Sequence, residues 1–383
     1  MSTFPVAKRL LEATAGQHPV ISLVFDLNPA EFATPAARAA QATSLMDAAH
    51  NLERADQTLS HDARLAIRAD LKRVDQYLGS AAFPVHGAGA LAIYASEGDD
   101  LFETVALPQP MASAVYLGRE PYLEPLIIEQ PSQRWRAVLV SERDVTIYDG
   151  VGGRTTEKGV GRDYVRGRSQ SGGNDEHSRQ QDIEGHIIQV AQLLAEDARA
   201  DRFEVLVIGG PVQPVSALQE RLVDDVRMRL LGGRLDVDPS AATEAEIAAK
   251  VDEMLQTAHV QEREQTLAHF RDQLDAGDRQ AGGRRAVSGV PDVLEALAER
   301  RVAALLLAPD FHAAGTRCPH DGSLYSFNVS SCPADGAETA PVPDLRGPIL
   351  AAAIRQDADV VMDDEPAPVH DAPGDGVGAI LRF

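Results

Sequence analysis

The chain has 383 residues, a hydrophobic content of 44% and a formal net charge of −22. This length predicts two or three domains, and this apolar content favours packed domains over disorder. The acidic balance argues against a protein that coats nucleic acid non-specifically, because such proteins need basic surface. Two cysteines argue against a disulfide scaffold.

The sequence contains no apolar run that is long enough to cross a bilayer. Its first residues also lack the charged and then apolar layout of a secretion signal. We therefore expect a cytoplasmic protein without membrane contact.

Residues 1–130 predict a first α/β domain. Apolar runs predict strands, and a proline-free stretch rich in alanine and leucine predicts one long helix or a helical hairpin broken near Ser60. The predicted elements are strands Val20–Leu27, Ala90–Ser96 and Leu123–Ile128, and the helical stretch 35–78. The four histidines of this domain, His18, His50, His61 and His86, are scattered and do not have ligand spacing.

Residues 134–283 predict a central domain that carries a polar loop, Arg168–His177. Two short strands, 137–140 and 145–148, precede the loop, while an amphipathic helix and the apolar strand Phe203–Gly210 follow it. Two adjacent glycines in the loop allow positive φ and close approach to another molecule. Helical tracts over 215–231 and 244–274 complete the predicted domain.

Residues 284–383 predict a third domain, an α/β/α sandwich. The predicted elements are a helix over 290–301, a strand over 302–308, a helix over 345–355, a strand over 359–362 and a glycine-rich last strand, Gly376–Phe383. Two Cys-x-x-Asp pairs lie between the first strand and the second helix. They are Cys318 with Asp321 and Cys332 with Asp335, and His320 lies inside the first.

Taken together, these features resemble the archaeal-eukaryotic peptide-chain release factor and Pelota superfamily, in particular its bacterial branch of Balon-like ribosome factors. The order of loop, helix and strand in the central domain resembles the family's ribonuclease-H-like domain with its Gly-Gly-Gln loop. The stretch Val290–Ala308 and the ending Gly376–Phe383 resemble the family's third domain. The resemblance covers residues 135–383 and, more weakly, the first domain.

The resemblance implies that Gly172, Gly173 and Asn174 form the catalytic or probing tip of the central domain. In release factors a loop glutamine helps to orient water at the peptidyl-tRNA ester, and here Asn174 is one methylene shorter. Positioning errors of about 1 Å can cost on the order of 10²-fold in rate. We therefore expect weak or no peptide release. Four arginines near the tip are candidate RNA contacts: Arg162, Arg166, Arg168 and Arg179.

The family often carries two Cys-x-x-Cys pairs that hold zinc in the third domain. Here Cys318, His320, Asp321, Cys332 and Asp335 replace them, which leaves two alternatives. Either the ribbon is a relic held by its turns without metal, or two thiolates, an imidazole and a carboxylate hold zinc. The first alternative predicts no cofactor.

The resemblance therefore implies a ribosome-associated translation factor that binds where tRNA enters stalled or idle ribosomes, in hibernation or rescue. Its implied partners are ribosomal RNA up to the peptidyl-transferase centre, tRNA and a translational GTPase, but not DNA. The alternative is a peptidyl-tRNA hydrolase that uses the Gly-Gly-Asn loop. A third hypothesis, a nuclease that uses Asp144 and Asp149 with Mg²⁺, lacks a third carboxylate.

Overall fold

The structure, a computed structural model, describes the chain apart from residues 1–3, 15–17, 29–30, 33, 58, 81–82, 84–88, 108–109, 129–133, 142–144, 152–153, 156–175, 238–241, 278–283, 327–328 and 363–375. It is a mixed α/β protein with several sheets. The chain divides into two compact units. Met1–Gln130 and Arg263–Phe383 form the terminal unit, and Pro131–Glu262 form the central unit. The three-domain division remains a prediction.

The first half of the terminal unit is an antiparallel sheet with its second and third helices on one face, while the other face is buried in a cluster that contains its first and fourth helices. Its elements are helix α1 (Pro5–Ala13), strand β1 (Val20–Asp26), helices α2 (Pro35–Ala55) and α3 (His61–Leu78), strands β2 (Ala90–Ser96), β3 (Leu101–Leu107) and β4 (Ala114–Gly118), and helix α4 (Glu124–Ile128). The strand order is β3-β2-β1-β4. Alternate residues of β1 and β2, among them Leu23 and Ile93, pack with Ile67 of α3 and Leu45 of α2.

The predicted helical stretch is a pair of helices, and the break lies where it was expected. The Ser60 hydroxyl accepts a hydrogen bond from the Ala63 amide at 3.1 Å and caps α3. The predicted strand Leu123–Ile128 is wrong, because residues 124–128 form helix α4. Pro125 has no amide hydrogen for a sheet ladder but fits the first turn of a helix. Neither α1 nor β4 was predicted.

The central unit has helices on both faces of one sheet. Its elements are strands β5 (Arg134–Val140), β6 (Val145–Val151) and β7 (Arg154–Thr155), helix α5 (Glu176–Arg199), strand β8 (Val205–Gly209), helices α6 (Val212–Arg221) and α7 (Asp224–Met228), and the first half of α8 (Glu244–Gly277). The strand order is β7-β6-β5-β8, and β5 is parallel to β8 and antiparallel to β6.

Successive side chains of β5 point to opposite faces of the sheet, so this strand packs against helices on both sides. Trp135 is 1% exposed and packs, with Leu139, against Val251 of α8. Val138, on the other face, packs against Leu194 of α5. The single tryptophan is therefore a core anchor. The predicted tract 215–231 is divided into α6 and α7, because Leu222 and Val223 have extended backbone.

The second half of the terminal unit contains a second sheet and a small ribbon. The sheet elements are strand β9 (Ala286–Ser288), helix α9 (Val290–Ala298), strand β10 (Val302–Leu307), helix α10 (Arg346–Arg355), and strands β14 (Asp359–Met362) and β15 (Val377–Leu381), in the order β14-β10-β15-β9. The ribbon has strands β11 (Gly315–Arg317), β12 (Leu324–Ser326) and β13 (Ala340–Val342), in the order β12-β11-β13.

The core of this sheet is apolar. Leu305, Leu306 and Leu307 of β10 are fully buried among residues of α9 and α10. Phe270, on the second half of α8, lies so close to β15 that a Cβ on Gly378 would approach its ring to 2.4 Å. A glycine is therefore required in the last strand at this position.

Candidate metal centre and glycine loop

The ribbon carries two turns of the same design. The Gly322 amide donates to the Cys318 carbonyl at 3.1 Å, and the Gly336 amide donates to the Cys332 carbonyl at 2.8 Å. Both glycines have positive φ, +77° and +75°, which closes each turn without strain. The sequence pattern Cys-Pro-x-Asp-Gly thus forms two equivalent knuckles.

These knuckles bring three of the five predicted ligands together, whereas His320 and Asp321 are not part of the group. The ligand atoms of Cys318, Cys332 and Asp335 all lie within 4.8 Å of one another. The Cys318 Sγ is 3.9 Å from Asp335 Oδ2, and the same Oδ2 is 2.6 Å from His320 Nδ1. Within the part of the chain that the structure describes, no other His, Cys, Asp or Glu residues form such a group.

Each aspartate also closes its own turn. Asp321 Oδ1 accepts the Ser323 amide at 2.9 Å, and Asp335 Oδ1 accepts the Ala337 amide at 3.0 Å. The hydrogen bond from Ala337, with those from Cys332 and His320, lowers the pKa of Asp335 to about 2. Hydrogen bonds from the Ser323 amide and the Cys318 thiol also lower the pKa of Asp321. Both carboxylates are therefore ionised at neutral pH.

The pKa of the Cys318 thiol is shifted in the opposite direction. The Asp321 amide lowers the pKa of Cys318, but burial and side-chain contacts with Asp321 and Cys332 raise it overall. The hydroxyl of Tyr325 lies 3.3 Å from Cys332 Sγ, and this contact raises the tyrosine pKa to about 12. Sequence reasoning missed Tyr325, because it lies on β12, outside both knuckles.

This donor set fits a zinc-like ion. Two buried thiols and an ionised carboxylate are among the ligand types of structural zinc. Cys318, Cys332 and Asp335 would hold the ion, His320 would support Asp335, and Asp321 would support Cys318. An ion would stabilise the ribbon. The metal-bound ribbon and the relic ribbon both remain predictions.

The glycine loop connects β7 to α5 in the central unit. Gly172, Gly173, Asn174, Arg162, Arg166 and Arg168 lie outside the described residues. Arg179 lies in the first turns of α5, where the backbone is described and the side chain is not. The roles of all seven residues therefore remain predictions. Further along α5, Ile187, Val190 and Leu194 form the expected buried stripe.

The structure argues against the nuclease hypothesis, because the Asp149 carboxylate forms an ion pair with Arg136. Asp149 accepts hydrogen bonds from Arg136 Nε at 2.6 Å and from Nη2 at 2.8 Å, and Arg136 also pairs with the buried Asp197. The ring of Phe203 lies 5.2 Å from the same guanidinium. Asp149 is thus part of a structural ion pair, and Asp144 lies outside the described residues. Sequence reasoning missed Arg136 and Asp197.

The described helices of the chain do not include one that is long and apolar enough to span a membrane.

Several solved structures match the chain. An archaeal translation termination factor, aRF1, is 15% identical, with 100% of this chain and 99% of that chain covered, and a TM-score of 0.24. Ribosome-bound archaeal Pelota, described together with ABCE1, is 14% identical, with 77% of both chains covered and a TM-score of 0.40. Dom34 of S. cerevisiae, described as interacting with Hbs1, is 11% identical, with 77% and 86% covered and a TM-score of 0.38.

No curated protein matches the sequence. At the identities and TM-scores above, these structural matches carry no argument about function. Residues 121–256, which include β5 to β8 and α5 to α7, match the model of the bacterial archaeo-eukaryotic release factor family 10. This part of the chain is therefore similar in sequence to that family.

Proposed function

We propose that the protein is a ribosome-associated translation factor that binds where tRNA enters stalled or idle ribosomes. The observation that carries this proposal is the family match over residues 121–256, the region that contains the predicted loop. In this proposal the segment between β7 and α5 extends toward the peptidyl-transferase centre. The C-terminal part of the chain contacts a translational GTPase.

We further infer that peptide release is weak or absent, so that the protein acts in hibernation or rescue. Asn174 stands where release factors have glutamine, and its amide is one methylene shorter. Asp175 and Glu176 follow it and place negative charge where a tRNA end would approach. Both features oppose ester hydrolysis at the loop tip.

Cosedimentation of the protein with ribosomes from starved cells tests the binding proposal. We expect the protein to move with ribosomes through a sucrose gradient at physiological salt, and to be displaced by an occupant of the same tRNA site. A protein that stays at the top of the gradient, with ribosomes from either growing or starved cells, contradicts the proposal.

The second candidate function is a peptidyl-tRNA hydrolase, which the Gly-Gly-Asn sequence itself favours. Release of a labelled peptide from purified stalled complexes separates the two functions. We expect little release by the wild type, more by Asn174→Gln, which restores the glutamine, and none by Asn174→Ala. Efficient release by the wild type that Asn174→Ala abolishes would establish the enzyme and contradict our inference.

A further inference from the structure

Five arginines lie at one end of the second sheet of the terminal unit. Arg284 and Arg285 precede strand β9, Arg300 and Arg301 precede strand β10, and Arg382 follows strand β15. Since β15 is antiparallel to both neighbours, its last residues lie beside the first residues of β9 and β10. We call these five residues the arginine row.

The backbone hydrogen bonds fix this arrangement. The Leu381 amide donates to the Arg285 carbonyl at 2.8 Å, and the Arg382 amide donates to the Arg301 carbonyl at 2.8 Å. Neighbouring strands are about 4.8 Å apart, so the three strand ends place the arginines within a width of roughly 10 Å. The row comes from three distant parts of the sequence, and only the fold assembles it.

The row is only partly neutralised. Arg284 pairs with Asp292 at 3.3 Å, and Arg301 pairs with Glu299 at 2.7 Å. The Arg382 guanidinium donates to two carbonyl oxygens at the end of α10, those of Gln356 and Asp357.

For Arg285 and Arg300, both exposed, the described part of the chain offers no ion-pair partner. Other charged groups near this sheet end include Glu295, exposed on α9, Asp359, exposed at the start of β14, and Asp357, whose carboxylate pairs with Lys8 at 2.6 Å. The guanidinium groups of Arg285 and Arg300 therefore give the row unpaired positive charge, although the whole chain carries −22.

Like charges on adjacent strands oppose sheet formation, and folding alone does not explain why they gather here. Planar guanidinium groups bind phosphate oxygens in a bidentate way, and several at phosphate-like spacing follow a nucleic-acid backbone. Phe383 is 73% exposed next to Arg382 and offers a ring on which an unpaired base can stack. An exposed ring suits single-stranded RNA better than an acidic peptide.

We propose that the arginine row is an RNA-binding surface that contacts the phosphates of an RNA segment with unpaired bases. Arg285 and Arg300 supply the free charges, and Phe383 supplies a stacking surface. The row adds an RNA contact in the terminal unit to the one proposed for the central loop. In this sense it extends the proposed function, but it is tested on free RNA so that each proposal can fail by itself.

The test is fluorescence anisotropy of a short labelled RNA hairpin with an unpaired loop, titrated with the full chain over a range of salt concentrations. The double variant Arg285→Ala/Arg300→Ala removes the free charges, and Arg54→Ala/Arg271→Ala removes two exposed arginines elsewhere in the terminal unit. We expect the first variant to bind on the order of tenfold more weakly, and the slope of log affinity against log salt to fall by about 2. The second variant should bind as the wild type does.

A lysine variant refines the test. Arg285→Lys/Arg300→Lys keeps both charges but loses the bidentate geometry, so we expect it to keep most of the salt slope. Equal RNA binding by the wild type and the alanine variant overturns the proposal. Binding to a polyglutamate peptide instead of RNA overturns it in favour of an acidic protein partner, and absence of any RNA binding also overturns it.

Cosedimentation with ribosomes keeps the two proposals distinguishable. RNA binding that depends on the row, without ribosome association, leaves this inference intact and contradicts the proposed function. Ribosome association without binding to free RNA supports the proposed function and contradicts this inference.

Discussion

Two polar clusters of the terminal unit differ in whether their charges are compensated. Arg346 donates to Glu124 from Nε at 2.6 Å and from Nη2 at 3.3 Å, and from Nη1 to the carbonyls of Ala308 and Phe311. Its buried charge therefore has a full set of partners. The ribbon cluster contains two thiols and two ionised carboxylates, and His320 is the only basic side chain among its five residues.

This difference between the Arg346 cluster and the ribbon cluster indicates which of them would be stabilised by a ligand. A buried charge with a complete set of protein partners is stable by itself, although the loss of one partner is costly. A cluster rich in acceptors and poor in cations is stabilised by an added cation. Asp70 is intermediate: its Oδ2 accepts the Glu97 amide at 3.0 Å, and Arg73 lies 3.8 Å from its Oδ1.

The largest expected effect concerns the complete cluster. Arg346→Ala should lower the free energy of unfolding by about 3–5 kcal/mol, because it removes the charged partner of Glu124 and a donor to two carbonyls. Urea unfolding monitored by circular dichroism measures the loss. Arg54→Ala, at an exposed arginine, is the control and should change stability by less than about 0.5 kcal/mol. Equal effects for both variants would mean that the cluster is not important for stability.

The second prediction concerns the ribbon. Zinc added to the metal-free protein should raise the free energy of unfolding by about 2.7 kcal/mol at a hundredfold excess over the dissociation constant. Hydrogen exchange should slow at the Ser323 and Ala337 amides, which close the two turns. Chelation should reverse both changes.

Cys332→Ser is the matched variant for the ribbon, because it removes one thiol and keeps the side-chain size. We expect it to lose the response to zinc, and to lose the thiolate-to-metal absorption that cobalt gives with the wild type. A wild type that responds to neither metal would support the relic ribbon, held by its turns alone.

The smallest effect concerns Asp70. Burial raises its pKa to about 6, although the Glu97 amide and Arg73 oppose the shift. Because the folded pKa is above the unfolded value, this group stabilises the fold at low pH, and the contribution is lost as pH rises through about 6. Asp70→Asn should therefore stabilise the protein by about 2 kcal/mol at pH 8, and by little at pH 4.

Urea unfolding at both pH values measures this difference. Asp75→Asn, at an exposed aspartate of the same helix, is the matched control. If Asp70→Asn destabilises the protein at pH 8, the carboxylate is better compensated than its contacts indicate.

Local sequence signals predicted the elements that depend on local chemistry. The strand at Val20 and the strand at Val302 are continuous apolar runs, and the structure confirms both. Ser60 marked the helix break because a hydroxyl can cap the following turn. Leu123–Ile128 was mispredicted, because a short apolar run fits a strand and a helix equally, and Pro125 was given too little weight.

In the candidate site, too, local sequence signals predicted only the features that depend on local chemistry. The spacing Cys-x-x-Asp predicted the candidate ligands of the ribbon, because each knuckle is a local turn. It did not show that Asp335 would contact both Cys318 and His320 of the other knuckle, or that Tyr325 would contact Cys332. Contacts between segments that are distant in sequence depend on how the strands pair.

The sequence by itself determined many of the elements, the acidic balance, the two knuckles and the resemblance to release factors, because these depend on residue type and local spacing. Only the tertiary structure decided that Asp149 is part of an ion pair with Arg136. It alone also assembled Arg285, Arg300 and Arg382 at one sheet end. The physical reason is that side-chain charges act through space over a few ångströms, and strand order and register set those distances.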